Sequence, residues 1–89
     1  MLFLLTNRTR PMLSAEQYGE LARLAKAFYA SIPADVKIRG EWAALDYSQN
    51  FTLLEAPDID TVRRIQAPFE PFTETLVVPV APVTGWSAT

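Results

Sequence analysis

Two segments of this 89-residue chain are apolar without interruption, and they constrain the fold more than any other feature. Met1–Leu5 and Leu76–Val78 have no polar residue at alternate positions. Because successive side chains of a strand point to opposite faces, each segment presents apolar side chains to both faces of a sheet. The sequence has two helical patterns, and two helices can cover one face. The simplest cover for the other face is a second copy of the chain.

The composition excludes several classes of function. The net charge is −2 and there is no run of Lys or Arg, so neither nucleic acid nor an anionic membrane is expected as a partner. Cysteine and histidine are both absent, which removes thiolate nucleophiles and the usual ligands of zinc, haem and iron–sulfur clusters. We therefore expect no metal and no cofactor. The apolar N-terminal run is too short for a signal peptide or a membrane span, so a cytoplasmic protein is expected.

Six elements are predicted, and we expect residues 1–89 to form a single domain. Helix 1 begins at a capping box and helix 2 at an Asp N-cap, whereas the strands are bounded by proline and by turn-forming residues. The predicted order is strand 1 (about Met1 to Arg8), helix 1 (Ser14 to Ile32), strand 2 (about Val36 to Leu45), strand 3 (Phe51 to Ala56), helix 2 (from Asp58, broken by Pro68 and Pro71) and strand 4 (Phe72 to about Val83), followed by a tail around Gly85–Trp86.

This order predicts an α+β fold of the ferredoxin-like βαββαβ type, with a four-stranded antiparallel sheet in the order 4-1-3-2. Strands 2 and 4 are then the edges. Both carry residues that discourage pairing with another strand: Lys37, Arg39 and Glu41 on strand 2, and Pro79 and Pro82 on strand 4. Both helices cover the same face, so the other face remains apolar and uncovered. This predicts a homodimer through the sheet, or a larger assembly built from such dimers.

A resemblance to a known family rests on four features of the chain. They are the opening Met1–Phe3, the Trp42 strand followed by a hairpin, the Asp-initiated second helix, and Ala67–Phe72 leading to Val77–Val80. Together they resemble the small dimeric α+β barrel proteins, and are most similar to the muconolactone isomerase-like branch and its uncharacterised relatives. The resemblance covers nearly the whole chain but contains no catalytic motif.

The resemblance implies sheet-to-sheet dimers and a pocket for a small, largely apolar ligand between sheet and helices. Members of this superfamily include cofactor-free isomerases, cyclases and monooxygenases of aromatic or polyketide metabolism, besides proteins without known activity. The absence of histidine argues against a histidine-dependent mechanism or haem chemistry in this chain.

Two carboxylates are candidate bases. Arg39 and Glu41 are expected on one side of strand 2, with Trp42 on the other, where it forms core or a pocket wall. One interpretation is a solvated edge strand. The other makes Glu41 a general acid or base whose pKa is raised by partial burial, and Arg39 the group that steadies an anionic substrate or enolate. Glu55 is the second candidate, with a favourable interaction at the start of helix 2 as the alternative.

The other candidates are polar or aromatic residues for which packing and solvation are competing explanations. Tyr18, Tyr29 and Tyr47 are candidate proton or hydrogen-bond donors, although Tyr18 and Tyr29 lie on the apolar stripe of helix 1 and are first of all packing residues. Asn7, at the end of strand 1 beside two arginines, could contribute to a carboxylate site or simply solvate a loop. Candidate pocket-wall residues are Tyr18, Phe28, Phe69 and Phe72, and any core would also use them.

Two functions from different classes fit these patterns. The first is a cofactor-independent enzyme that acts on a small hydrophobic or aromatic or polyketide-derived molecule by proton transfer, in an isomerisation or cyclisation, with a cofactor-free monooxygenase as a variant. The second is a non-catalytic dimer that binds a small molecule or is purely structural. The enzyme interpretation predicts an enclosed cavity that contains Glu41, Glu55 or Glu74 beside aromatic side chains, and a filled core with all three carboxylates in solvent would contradict it.

Overall fold

The computed structural model describes residues 1–83, and in this range it has four strands and two α-helices in the predicted order. The fold is α+β and ferredoxin-like, and the antiparallel sheet has the order β2-β3-β1-β4, which is the predicted 4-1-3-2 read from the other edge. The tail predicted around Gly85–Trp86 lies outside the described residues. The elements are β1 (Leu2–Thr9), α1 (Ala15–Ala30), β2 (Lys37–Ala43), β3 (Asn50–Glu55), α2 (Ile59–Gln66) with a 3₁₀ turn at Ala67–Phe69, and β4 (Thr73–Val80).

Strand β4 is shorter than predicted, because its partner ends. The sequence placed its end near Val83, whereas the last pair of the ladder joins Val80 to Leu2, the first residue of β1. Beyond that pair no residue of β1 remains to accept or donate a hydrogen bond. Pro79 is tolerated within β4 because an edge strand needs amides on one side only.

Both helix starts follow the predicted chemistry. Ser14 Oγ accepts from the Gln17 backbone N–H at 3.1 Å, and Gln17 Oε1 accepts from the Ser14 N–H at 2.8 Å, which completes the capping box of α1. The Asp58 carboxylate accepts from the N–H of Thr61 at 2.8 Å and from its hydroxyl at 2.7 Å at the start of α2. The orphan amides of each first turn are therefore partly satisfied by side chains.

Replacing Ser14 with alanine is expected to lower the free energy of unfolding by about 1 kcal/mol, since the Gln17 amide loses its side-chain acceptor. Replacement with glycine should cost only a few tenths of a kcal/mol. Urea denaturation of both variants measures this. Equal losses in the two would contradict a role for the hydroxyl in capping.

The closely packed core lies between the sheet and α2. Phe3 and Leu5 on β1, Leu54 on β3 and Val62 on α2 are almost completely buried, together with Val36 and Ala56. Helix α1 is different, because none of its sixteen residues is fully buried and its apolar side chains are at most half-buried. The sheet is therefore packed tightly under α2 but not under α1.

The other face of the sheet has no helix and is largely apolar; we call it the open sheet face. In its centre Leu4 lies opposite Leu53 on one side and Val78 on the other. Leu76 is 63% exposed and Trp42 is 57% exposed. The open sheet face consists of Leu2, Leu4, Phe51, Leu53, Leu76, Val78, Val80 and Trp42, with Thr6 and charged residues at its ends. The prediction that β1 is apolar on both faces is thus confirmed.

Strand β2 contains a bulge that changes which residues share a face. The pairing with β3 shifts between Ile38 and Gly40, so that Arg39 is an extra residue in the strand. Beyond the shift, Glu41 lies opposite Thr52, on the face that the helices cover. The sequence pattern predicted Arg39 and Glu41 on one side of the strand. That placement is wrong, because simple alternation does not include the bulge.

The position of the Trp42 ring explains why residue 40 is glycine. Trp42 follows on the same face of β2, and its indole ring lies across Gly40. A Cβ at residue 40 would lie 2.5 Å from the Cη2 atom of Trp42, which is closer than carbon atoms approach. Any larger residue at position 40 would push the indole away from the open sheet face.

Candidate functional site

A cavity of about 280 Å³ lies between the sheet and α1. It exists because α1 does not pack closely on the part of the sheet that it covers. The cavity is near the lower end of the sizes usual for small-molecule sites. Its apolar wall includes Leu5, Leu21, Phe28, Leu54, Ile65 and Phe69.

A tyrosine and a glutamate meet at the cavity. Tyr29, near the end of α1, donates a hydrogen bond from its hydroxyl to Oε1 of Glu41 on β2, and both residues line the cavity. The Phe28 ring packs edge-on against the Tyr29 ring, with 5.4 Å between the centroids. Tyr29 is 52% exposed and Glu41 is also exposed, so the pair lies at the mouth of the cavity.

Partial burial and the adjacent Glu41 carboxylate raise the pKa of Tyr29 to about 12. Burial disfavours the phenolate, and the hydrogen bond to a carboxylate favours the neutral phenol. At neutral pH the pair therefore joins a hydrogen-bond donor to a base. The second carboxylate oxygen of Glu41, Oε2, has no hydrogen-bond partner among residues 1–83, so it is available to a ligand.

Titration of the tyrosines by ultraviolet absorbance is expected to show a transition near pH 12 that disappears in Tyr29→Phe. Because the folded-state pKa is above the ordinary value of 10.0, the folded protein holds this proton more tightly than the unfolded chain does. The contribution of this proton to the free energy of unfolding is complete below pH 10 and is lost as the pH rises through about 12. The assignment of the raised pKa to Tyr29 would be contradicted if the urea midpoints of wild type and Tyr29→Phe declined equally between pH 10 and pH 12.

Uncharged polar side chains form the other end of the cavity. Thr75 Oγ1 donates to Asn7 Oδ1 at 2.7 Å and lies 3.3 Å from Gln66 Oε1, so β1, β4 and α2 are joined by one small network. Thr73 Oγ1 donates to the Phe69 carbonyl at 3.1 Å. With the Asn7 oxygen engaged, its amide nitrogen remains as a donor beside the cavity.

The second candidate base, Glu55, lies outside the cavity and on the open sheet face. Its two carboxylate oxygens are 2.9 and 3.0 Å from Nη2 of Arg39. The Arg39 guanidinium, with smaller contributions from Lys37 and the N-terminal amine, holds the pKa of Glu55 below its usual value. Glu55 therefore does not line this cavity, and Arg39 lies beside Glu55 and not beside Glu41. Arg39 lies on the open sheet face because the bulge in β2 turns its side chain away from the helices.

The cavity brings together only part of the set that the sequence singled out. The lining includes Asn7, Phe28, Glu41 and Phe69, and also Trp42, although the indole of Trp42 lies on the open sheet face. It does not include Tyr18, Arg39, Tyr47, Glu55 or Phe72. The catalytic and binding roles assigned to the lining residues remain predictions.

The residues that fall outside the cavity have identifiable positions. Tyr47 is 88% exposed in the β2–β3 turn, where it has a φ of 61°. Tyr18 is exposed in the first half of α1. Phe72 precedes β4 and is half-buried, and Glu74 lies 3.5 Å from Arg10 on the surface. The hydrophobic pattern of the sequence does not distinguish these positions from positions in a pocket wall.

The contact of Tyr29 with Glu41 could not be predicted from the sequence, because the position of Tyr29 on the apolar stripe of α1 indicates packing first. A tyrosine at such a position needs a hydrogen-bond partner for its hydroxyl, and this was the available signal. Identifying the partner required the register of β2, which depends on the bulge.

Neither a metal site nor a membrane helix is found in the described part of the chain. No three His, Cys, Asp or Glu side chains of residues 1–83 come together as metal ligands could. No helix in that range is long and apolar enough to cross a membrane.

Comparisons with known proteins agree with this fold. No curated protein matches the chain. Among solved structures it is similar to muconolactone isomerase, with a TM-score of 0.57 and 17% sequence identity over 96% of this chain and 93% of that one. At this identity the likeness concerns the fold, and it confirms the architecture that the resemblance implied. A family model described as a domain of unknown function, DUF3303, matches residues 1–89, and the chain therefore belongs to the DUF3303 family.

Proposed function

We propose that this protein is a cofactor-independent enzyme that moves a proton on a small, largely apolar molecule, in an isomerisation or a cyclisation. The observation that carries the proposal is the hydrogen-bonded pair of Tyr29 and Glu41 at a cavity with an apolar wall. The carboxylate supplies a proton acceptor through its free oxygen Oε2, and the phenol that donates to Oε1 holds the carboxylate in place. The apolar wall holds the body of that ligand.

The proposed step is proton abstraction from a carbon next to a carbonyl group. The C–H bond breaks, the proton passes to Oε2 of Glu41, and the electron pair moves to the carbonyl oxygen as an enolate. The side-chain amides of Asn7 and Asn50, which both line the cavity, are suitable donors to the developing oxyanion. Return of the proton to a different carbon completes an isomerisation. The Tyr29 hydroxyl orients the carboxylate throughout.

A non-catalytic small-molecule carrier is the second candidate. The exposure of Glu41 and Tyr29 favours it, because water reaches both side chains at the mouth of the cavity and active sites generally exclude water from the reacting groups. Such a carrier would use the same cavity and the same polar end, without turnover.

We further propose that two copies pair through the open sheet face. This face is apolar in the centre, and its largest exposed side chains, Leu76 and Trp42, lie at opposite edges of the sheet. A standard interface buries about 800 Å² on each partner, which the face of a four-stranded sheet can provide. Apolar patches of this extent seldom face water in a stable monomer.

Deuterium exchange tests the proposed chemistry without knowledge of the natural substrate. We expect the wild-type protein to accelerate the exchange of the α-hydrogens of 2-tetralone in D₂O, measured by NMR, with saturation as the ketone concentration rises. Glu16→Gln, which removes an exposed carboxylate in the first turn of α1, should retain the acceleration. Binding of the ketone without accelerated exchange would contradict the proposal of an enzyme and would favour the non-catalytic carrier.

A further inference from the structure

We propose that the cavity selects uncharged ligands and discriminates against carboxylates, phosphates and other anions. This inference rests on the proposed function, because it specifies the class of molecule that the same cavity takes. Glu41 is the discriminating residue, in addition to its proposed part in proton transfer.

The inference begins with the charges of the residues that line the cavity. Among the described residues that line the cavity, Glu41 is the one that is charged at neutral pH. The other polar side chains are hydroxyls and amides, including those of Asn7, Asn50 and Gln66. Such groups both donate and accept, so they can bind a carbonyl or hydroxyl oxygen of a neutral ligand. They provide no positive charge for an anion.

The nearby cations are occupied elsewhere or face another surface. Arg39 binds Glu55 on the open sheet face. Arg10 donates to the Glu70 carbonyl at 2.9 Å and lies 3.5 Å from the Glu74 carboxylate. Both Arg10 and Arg63 line a separate cleft next to β4, not the cavity under α1.

That separate cleft does not supply the missing positive charge. The cleft and the cavity have Gln66 and Thr73 in common, but Arg10 and Arg63 line the cleft alone. Thr73 is buried and bonded to the Phe69 carbonyl. A ligand small enough for a cavity of about 280 Å³ therefore meets Glu41 but not Arg10 or Arg63.

Electrostatics then sets the expected discrimination. An anion placed within about 5 Å of the Glu41 carboxylate is repelled, and it also loses water without gaining a counter-charge. At an effective dielectric near that of a protein surface, the repulsion corresponds to a preference of at least about tenfold for a neutral ligand of the same shape. Substitution of Glu41 by glutamine removes the charge and retains the size of the side chain.

Binding of 2-naphthamide and 2-naphthoate, which have the same ring system and differ in charge, tests the inference. Titration calorimetry at pH 7 should show that wild type binds the amide at least about tenfold more tightly, and that Glu41→Gln reduces the preference to less than about threefold. Glu16→Gln should retain the wild-type preference. Circular dichroism establishes that each variant is folded.

The other outcomes overturn the inference in distinguishable ways. Equal or tighter binding of the naphthoate by wild type contradicts selection for neutral ligands. An undiminished preference in Glu41→Gln contradicts the assignment to Glu41. Failure of both compounds to bind also overturns the inference. In each case the exchange of 2-tetralone reports separately on whether the proposed function survives.

Discussion

Replacing Leu76 with glutamate is expected to convert the proposed dimer into a monomer. Leu76 is the most exposed large side chain that β4 contributes to the open sheet face. A symmetric dimer contains the residue twice, so the variant loses the burial of two leucines, about 3 to 6 kcal/mol, and must also dehydrate two carboxylates. The dissociation constant should therefore rise by at least a factor of about 10² to 10⁴.

Sedimentation equilibrium over a range of protein concentrations measures this effect. Leu45→Glu is the matched control, because Leu45 is 99% exposed in the β2–β3 turn and lies outside the open sheet face. The control should remain dimeric, and both variants should keep wild-type circular dichroism, since neither side chain belongs to the buried core. A wild-type protein that sediments as a single subunit at micromolar concentration would refute pairing through this face.

The architecture could be predicted because it depends on patterns that are local and strong. The apolar run of β1 identified the central strand, and Lys37 and Pro79 identified the two edges. The residues that cap the helices, Ser14 and Asp58, fixed where α1 and α2 begin. Each of these signals depends on a few neighbouring residues, so no knowledge of distant contacts was needed.

The candidate site could be predicted only in part, because it depends on register. One extra residue in β2 moves Glu41 to the helix-covered face and leaves Arg39 on the other. Nothing in the sequence Arg39-Gly40-Glu41 distinguishes a bulge from regular alternation, apart from the glycine itself. The contact of Glu41 with Tyr29 joins residues twelve apart in the chain, through a loop and this irregular pairing.

Cavities are likewise hard to foresee, since they depend on how closely a helix approaches a sheet. The apolar stripe of α1 is equally consistent with tight packing and with a pocket wall. In the structure α1 has no fully buried residue, whereas α2, half as long, buries Thr61 and Val62. The difference between the two helices is what places the cavity under α1.

Substitution of Glu41 by glutamine is expected to reduce the protein-catalysed exchange of 2-tetralone by a factor of about 10² to 10⁴, which is the usual contribution of a general base. Glutamine retains the shape of the side chain and can still accept a hydrogen bond from Tyr29, but it cannot take up a proton at neutral pH. Deuterium incorporation followed by NMR gives kcat and KM separately. The loss should appear mainly in kcat, because the step removed is proton transfer.

Glu55→Gln distinguishes this assignment from its nearest competitor. Glu55 is bonded to Arg39 on the open sheet face, away from the cavity, so its substitution should change kcat by less than about threefold, within the range of an indirect effect. Tyr29→Phe should lie between the two variants, because the carboxylate remains but loses the hydroxyl that orients it. Loss of exchange in Glu55→Gln together with full activity in Glu41→Gln would transfer the chemistry to the other face of the sheet. That outcome would also require the dimer interface, rather than the cavity under α1, to be the place where the ligand binds.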